Sequence, residues 1–227
     1  MIFRLYLLAF FVYHMNNIEL NPLYEKVIDG LLQDRYCIVD GFFSAGEVNF
    51  LRESLLEKYE DDRFKKSAIG NQSAEQIVEA IRGDFIFWLD EGKVNGAERQ
   101  FFNKVNDFVD YLNRTCFMGI ADKEFHYALY PEGTFYKRHL DTFQNDSRRK
   151  LSMVCYLNDE DWQPDFGGEL TLYVPGENGT ETPLDIYPLE GRMVIFESQL
   201  LEHEVKPVKR ERLSITGWLK SRGSVVF

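Results

Sequence analysis

Cysteine is scarce in this chain. Its 227 residues hold three, Cys37, Cys116 and Cys155, widely spaced and without a CxxC pair. A disulfide framework is not indicated, and a reducing, cytoplasmic setting is expected. Basic residues are outnumbered, 26 Lys and Arg against 37 Asp and Glu, for a net charge of −11. That balance argues against general nucleic-acid binding, which needs basic patches for phosphate. No long apolar run is present either. The run MIFRLYLLAFFVY at residues 1–13 falls well short of the ~20 residues that a membrane span needs, so membrane insertion is not expected. No small-x-small cleavage site follows it. Residues 1–15 are read as a mis-assigned start or a packed N-terminal segment, with export or anchoring as the alternative. Internal repeats and low-complexity segments are missing, as is any Ser-His-Asp or paired-carboxylate signature. Histidine is rare, with four in the chain.

What is present suits one large core. The apolar fraction is 44% and aromatics make up 15%, and the length fits a single domain over residues 16–227. Helical patterns dominate the first half. Asn21-Pro22 is an N-cap followed by proline at the first helical position, with Leu23, Val27 and Leu31 recurring behind it. YCIVDGFF (residues 36–43) reads as a buried strand running into a turn. Ser44 and Glu47 form a capping box ahead of Val48, Leu51 and Leu55. A third helix is expected over about 97–113, with Phe101, Val105, Phe108 and Leu112 on one face. Between the second and third helices lie a polar segment, 65–80, and a strand from Arg82 to Leu89; Arg82 and Asp84 could pair at the segment's base. From Glu124 onward the chain is short strands punctuated by Gly, Pro, Asn and Asp, over roughly 124–130, 134–139, 149–157, 168–174, 183–187, 192–196, 202–206 and 212–219. Eight such strands suit a jelly-roll, and the helices are expected to brace one sheet from outside.

Two stretches carry chemistry. In YPEGTFYKRHLD (130–141), His139 and Asp141 stand two residues apart, a spacing that points side chains to one face of a strand. EHEVKPVKRERLSITGW (202–218) adds His203. Two imidazoles and one carboxylate on one face of a metal suit non-haem iron, although zinc accepts the same donors. Nine residues after His203 comes Arg212, then Ser214, Thr216 and Trp218 in alternation. Pro207 to Arg210 reads as a tight connection, so the flanking strands are expected to form a hairpin with Arg212 deeper in the cavity. A guanidinium there would grip a carboxylate bidentately.

The series His139, Asp141, His203, Arg212 and Ser214 resembles the pattern of Fe(II)/2-oxoglutarate dioxygenases with a double-stranded β-helix core. The blocks IRGDFIFWL, YPEGTFYKRHLD, CYLN, GGEL and HEVKPV narrow the resemblance to the prolyl 4-hydroxylase group, in particular hypoxia-factor prolyl hydroxylases and their bacterial homologues, over roughly residues 35–220. It implies a mainly β, cupin-like fold, with helical support plus a finger loop over 16–120 and the β-helix over 121–222. It implies Fe(II) on His139, Asp141 and His203, 2-oxoglutarate on Arg212 with Tyr156, Tyr130, Ser214 and Thr216 around it, and O2; ascorbate is a further expectation. Tyr136, Arg149 and Trp218 match positions around a peptide substrate, and Arg82 and Asp84 belong to the IRGD block. In the resembled enzymes the segment matching 65–80 is a mobile finger over the substrate, and the same is expected here. The implied reaction is hydroxylation of a prolyl residue in a protein partner, with succinate and carbon dioxide as products. The same chemistry on a small molecule or another side chain, and a non-catalytic binding module, are the alternatives.

Overall fold

The computed structural model describes residues 19–67, 80–142 and 148–222. The expectations for residues 1–15 and for most of the 65–80 finger fall outside them. Helix α1 (Pro22–Asp34) starts at Asn21, whose side chain accepts from the Leu23 and Tyr24 amides. Strand β1 (Tyr36–Val39) leads to α2 (Ala45–Glu60), where Ser44 and Glu47 complete the capping box. Lys65–Lys66 forms a short edge strand, β2, where the sequence suggested only loop. It pairs with β3 (Phe85–Leu89), which is followed by α3 (Gly96–Thr115). The eight expected strands follow as β4 (Ile120–Tyr130), β5 (Tyr136–His139), β6 (Arg149–Tyr156), β7 (Leu170–Pro175), β8 (Glu181–Ile186), β9 (Met193–Glu197), β10 (Glu202–Val205) and β11 (Arg212–Ser221). Among the described residues no helix is long and apolar enough to cross a membrane.

Two antiparallel sheets face one another. The larger has the order β1-β9-β6-β11-β4-β3-β2 and the smaller β5-β10-β7-β8. This is the double-stranded β-helix expected from the sequence. The period of two sorts the large sheet into faces. Phe125, Tyr127 and Leu129 of β4, Leu151, Met153 and Cys155 of β6, and Leu213, Ile215 and Leu219 of β11 pack outward against the helices, with Phe101, Val105, Phe108 and Leu112 of α3. Their neighbours Ala128, Tyr130, Val154 and Tyr156 point inward, toward Leu172 and Val205 of the small sheet. Gly217 is required where β11 crosses β4, since a Cβ there would lie 2.2 Å from the Phe125 ring.

One expectation fails. β10 and β11 are not a hairpin: β10 pairs with β5 and β7 in the small sheet, and β11 with β4 and β6 in the large one. The connection crosses between sheets instead. Its Val208 exchanges backbone bonds with Gly133 and Thr134, and Pro207 accepts from the Gly168 amide. Turn-forming residues signal a change of direction but do not say which sheet receives the next strand.

Candidate metal and co-substrate site

His139 closes β5 and His203 lies directly opposite it on β10, so the ladder itself brings the rings together, with centroids 4.3 Å apart. Asp141 is not in the strand as the spacing suggested; the chain bends after His139, and the carboxylate turns back toward both imidazoles. Its Oδ1 lies 3.5 Å from His139 Nε2 and its Oδ2 3.5 Å from His203 Nε2. Candidate ligand atoms of the three residues all fall within 4.8 Å of one another.

The surroundings orient these atoms. His139 Nδ1 lies 2.7 Å from the Lys137 carbonyl and His203 Nδ1 3.2 Å from that of Leu201. Each carbonyl can only accept, so each Nδ1 carries the proton and leaves an Nε2 lone pair facing the carboxylate. Ser152 donates to Asp141 Oδ2 at 2.6 Å. Burial alone would raise the Asp141 pKa, but His203, His139 and Ser152 outweigh it and hold the carboxyl well below its usual range. Burial pushes His203 down to about 4, partly opposed by Asp141, so its ring is neutral at physiological pH. A neutral imidazole at His203 and an ionised carboxylate at Asp141 are protonation states that divalent-metal binding requires.

Arg212 opens β11 and is only 2% exposed. Its Nε donates to the Gly168 carbonyl at 3.0 Å, and its guanidinium sits 5.0 Å from the Tyr130 ring and 4.9 Å from that of Tyr156. The glycine pair makes this possible. Both Gly167 and Gly168 have positive φ, and a Cβ on Gly168 would lie 3.1 Å from Arg212 Cδ. No carboxylate among the described residues pairs with Arg212, and the buried Tyr156 hydroxyl has no partner. A desolvated cation and an orphaned donor side by side need an anion that the described residues do not supply. Ser214, 3.4 Å from Arg212 Nη1, and half-buried Thr216 follow on the same face. The residues therefore fit both a ferrous ion and a keto-diacid.

The remaining expected residues ring this centre. Tyr136 stacks on His139 with centroids 3.6 Å apart, and the Arg82 guanidinium lies 4.2 Å from the Tyr136 ring. Arg82 is pinned by Asp84 at 2.6 Å, and Asp84 also accepts from Ser67. The pair thus braces Tyr136 and Ser67. Arg149 is turned toward these residues and is only partly exposed. It lies 3.5 Å from the Trp218 ring, donates to the Asp141 carbonyl and pairs with Glu124. Three further residues have no signal in the sequence: Ser152, Phe196, whose ring meets His203 edge-on, and His126, buried between Trp88 and Trp218. A serine inside an apolar strand and a histidine without a motif show nothing beyond their place in the alternation.

Two imidazoles and one carboxylate at one end of a double-stranded β-helix, with a buried arginine beyond them, define a non-haem iron oxygenase of the kind that uses a 2-oxo acid. The chain belongs to the 2OG-Fe(II) oxygenase superfamily, whose family model matches residues 125–220. It is similar to a prolyl-4-hydroxylase of Pseudomonas putida, at 36% identity over 88% of this chain and 100% of that one, with a TM-score of 0.76. A prolyl hydroxylase of Trichoplax adhaerens, solved with a peptide of the hypoxia inducible factor oxygen degradation domain, is 30% identical over 88% and 89% of the two chains, with a TM-score of 0.77. A hypoxia-inducible factor prolyl hydroxylase of Caenorhabditis elegans is 28% identical over 93% of this chain, which spans only 30% of that relative's length.

Proposed function

We propose that this chain hydroxylates a prolyl residue of a protein substrate, consuming 2-oxoglutarate and O2 and releasing succinate and carbon dioxide. The observation that carries the chemistry is Arg212, a fully buried guanidinium without a carboxylate partner among the described residues, on the inner face that the metal-binding set overlooks. The peptide target rests on the likeness to the two prolyl hydroxylases.

His139, Asp141 and His203 would hold Fe(II), which when bound supplies the activation of O2 and the hydrogen abstraction that no side chain here can perform. Arg212 and the Tyr156 hydroxyl bind the distal carboxylate of 2-oxoglutarate, and Tyr130 walls that pocket. Val154, Val194, Phe196 and Val205 keep it dry, which strengthens every charge interaction inside. Tyr136, Trp218 and Arg149 flank the face from which a substrate reaches the metal. Ascorbate as an accessory to turnover and a cytoplasmic setting, the latter in keeping with three free cysteines, complete the proposal. Comparison of proteomes from wild-type and deletion cells tests it. The expected result is a peptide lighter by one oxygen atom on proline in the deletion. Succinate production without any oxygenated proline would redirect the chemistry to another target.

A further inference from the structure

The inner face of the large sheet carries a feature that neither the metal nor the co-substrate uses. Across β11, β4 and β3, Thr216, His126 and Trp88 lie in register, and Trp218 stands in the next row between Ser152 and Glu124. Ser152 is the residue that holds Asp141. The rings of Trp218, His126 and Trp88 therefore lead from beside a metal ligand to the sheet edge, where Trp88 is 50% exposed. Ring centroids are 5.6 Å apart from Trp218 to His126, nearly stacked, and 4.8 Å apart from His126 to Trp88.

Two polar atoms in this ramp lack partners. His126 Nδ1 and Trp218 Nε1 are both buried with no hydrogen bond, in residues only 3% and 9% exposed. Buried polar groups are rarely left so, because each has lost its water without gaining a bond. Tryptophan Nε1–H can only donate. Burial, reinforced by Arg82, pushes the His126 pKa down to about 3, so the ring is neutral and one of its nitrogens is an acceptor. A donor and an acceptor on adjacent stacked rings match the C=O and N–H of an extended peptide.

We propose that Trp218 Nε1 and His126 Nδ1 read the main chain of the substrate beside the residue presented to the metal, which makes His126 a specificity-determining residue. The substrate carbonyl accepts from Trp218 and a neighbouring substrate N–H donates to His126. This rests on the prolyl-hydroxylase reading above. It adds a requirement that chemistry at the metal does not impose: the residue read by His126 must carry an N–H, so a second proline is excluded there.

The test incubates the iron-loaded protein with 2-oxoglutarate, 18O2 and a proteome-derived library of proline-containing peptides, and reads labelled prolines by mass spectrometry. In the wild type a second proline is expected to be depleted at one fixed position flanking the labelled residue. In His126→Leu that depletion disappears, and KM for the labelled peptides rises about tenfold with a smaller change in kcat. Asn at 126 places an oxygen near the Nδ1 position and restores most of the affinity, whereas Gln does not; this pair also serves if His126→Leu fails to fold. Independently, 15N spectra of the zinc-loaded protein show the His126 Nδ1 resonance moving when the best-labelled peptide is added. Co-substrate titration reports an intact pocket in each variant. An unchanged flanking pattern and KM in His126→Leu, or a stationary Nδ1 resonance, overturns the proposal and leaves internal water as the partner. A wild type that labels no proline at all overturns the prolyl-hydroxylase reading itself.

Discussion

The two faces of the seven-stranded sheet come from alternate residues of the same strands, yet they hold opposite contents. On β11 the outward residues Leu213, Ile215 and Leu219 join an apolar layer under the helices, while the inward ones are Arg212, Ser214, Thr216 and Trp218. On β4 the outward set is Phe125, Tyr127 and Leu129, and the inward set includes His126 and Tyr130. One face is closely packed and apolar apart from the Tyr127 hydroxyl. The other buries a guanidinium, an imidazole and two unpartnered donors, which lower stability when no ligand is bound. Stability and chemistry are thus written on the same strands with a period of two, and substitutions on neighbouring residues should separate them.

Substitution of the metal-binding carboxylate has the largest expected effect. Asp141→Asn is expected to lose iron and to reduce turnover below detection while the metal-free chain stays folded, as judged by circular dichroism. An outward change does the reverse. Ile215→Ala is expected to cost about 2–5 kcal/mol of stability in denaturant titration, with KM for 2-oxoglutarate unchanged. Its inward neighbour behaves differently again. Arg212→Lys keeps the charge but loses the planar fork, so KM for 2-oxoglutarate is expected to rise about tenfold or more. An unaltered KM would break the division between the faces. Ser152→Ala removes the hydroxyl that orients Asp141, and iron affinity measured by competition with a chelator should fall at least about tenfold.

A further effect, spread over several pH units, concerns protonation. His126 titrates at about 3 when folded and near 6.5 when unfolded. Below 6.5 the unfolded chain therefore takes up a proton that the folded chain refuses. The contribution is fully present above pH 6.5 and is lost as pH falls toward 3, at up to about 1.4 kcal/mol per pH unit. Stability of the metal-free wild type should decline relative to His126→Leu across that window, and parallel curves would contradict the assignment.

Much of this division is legible in the amino-acid order alone. Strand positions follow from the punctuation after Glu124, and the helix starts follow from Asn21 and the Ser44–Glu47 box, because these signals are local. The metal-binding residues are legible because HxD and a distant histidine followed by arginine form a sparse pattern. The β10–β11 connection reads wrongly as a hairpin because the sheet that receives β11 is decided by long-range packing: Gly167 and Gly168 admit the connection, and nothing in Pro207 to Arg210 says so. Ser152 and His126 stay hidden for a related reason. Their roles exist only across the register of neighbouring strands, where Ser152 meets Asp141 and His126 meets two indoles.

The central claim is that three side chains hold one ferrous ion while Arg212 grips the co-substrate beside it. Anaerobic titration with Fe(II) and 2-oxoglutarate, followed by admission of O2 and assay of succinate, tests this directly in the wild type, His203→Ala and Arg212→Lys. The account predicts one iron per chain and succinate in the wild type. It predicts neither in His203→Ala, and in Arg212→Lys it predicts full iron with succinate only at raised 2-oxoglutarate. Undiminished iron and succinate in His203→Ala would contradict it.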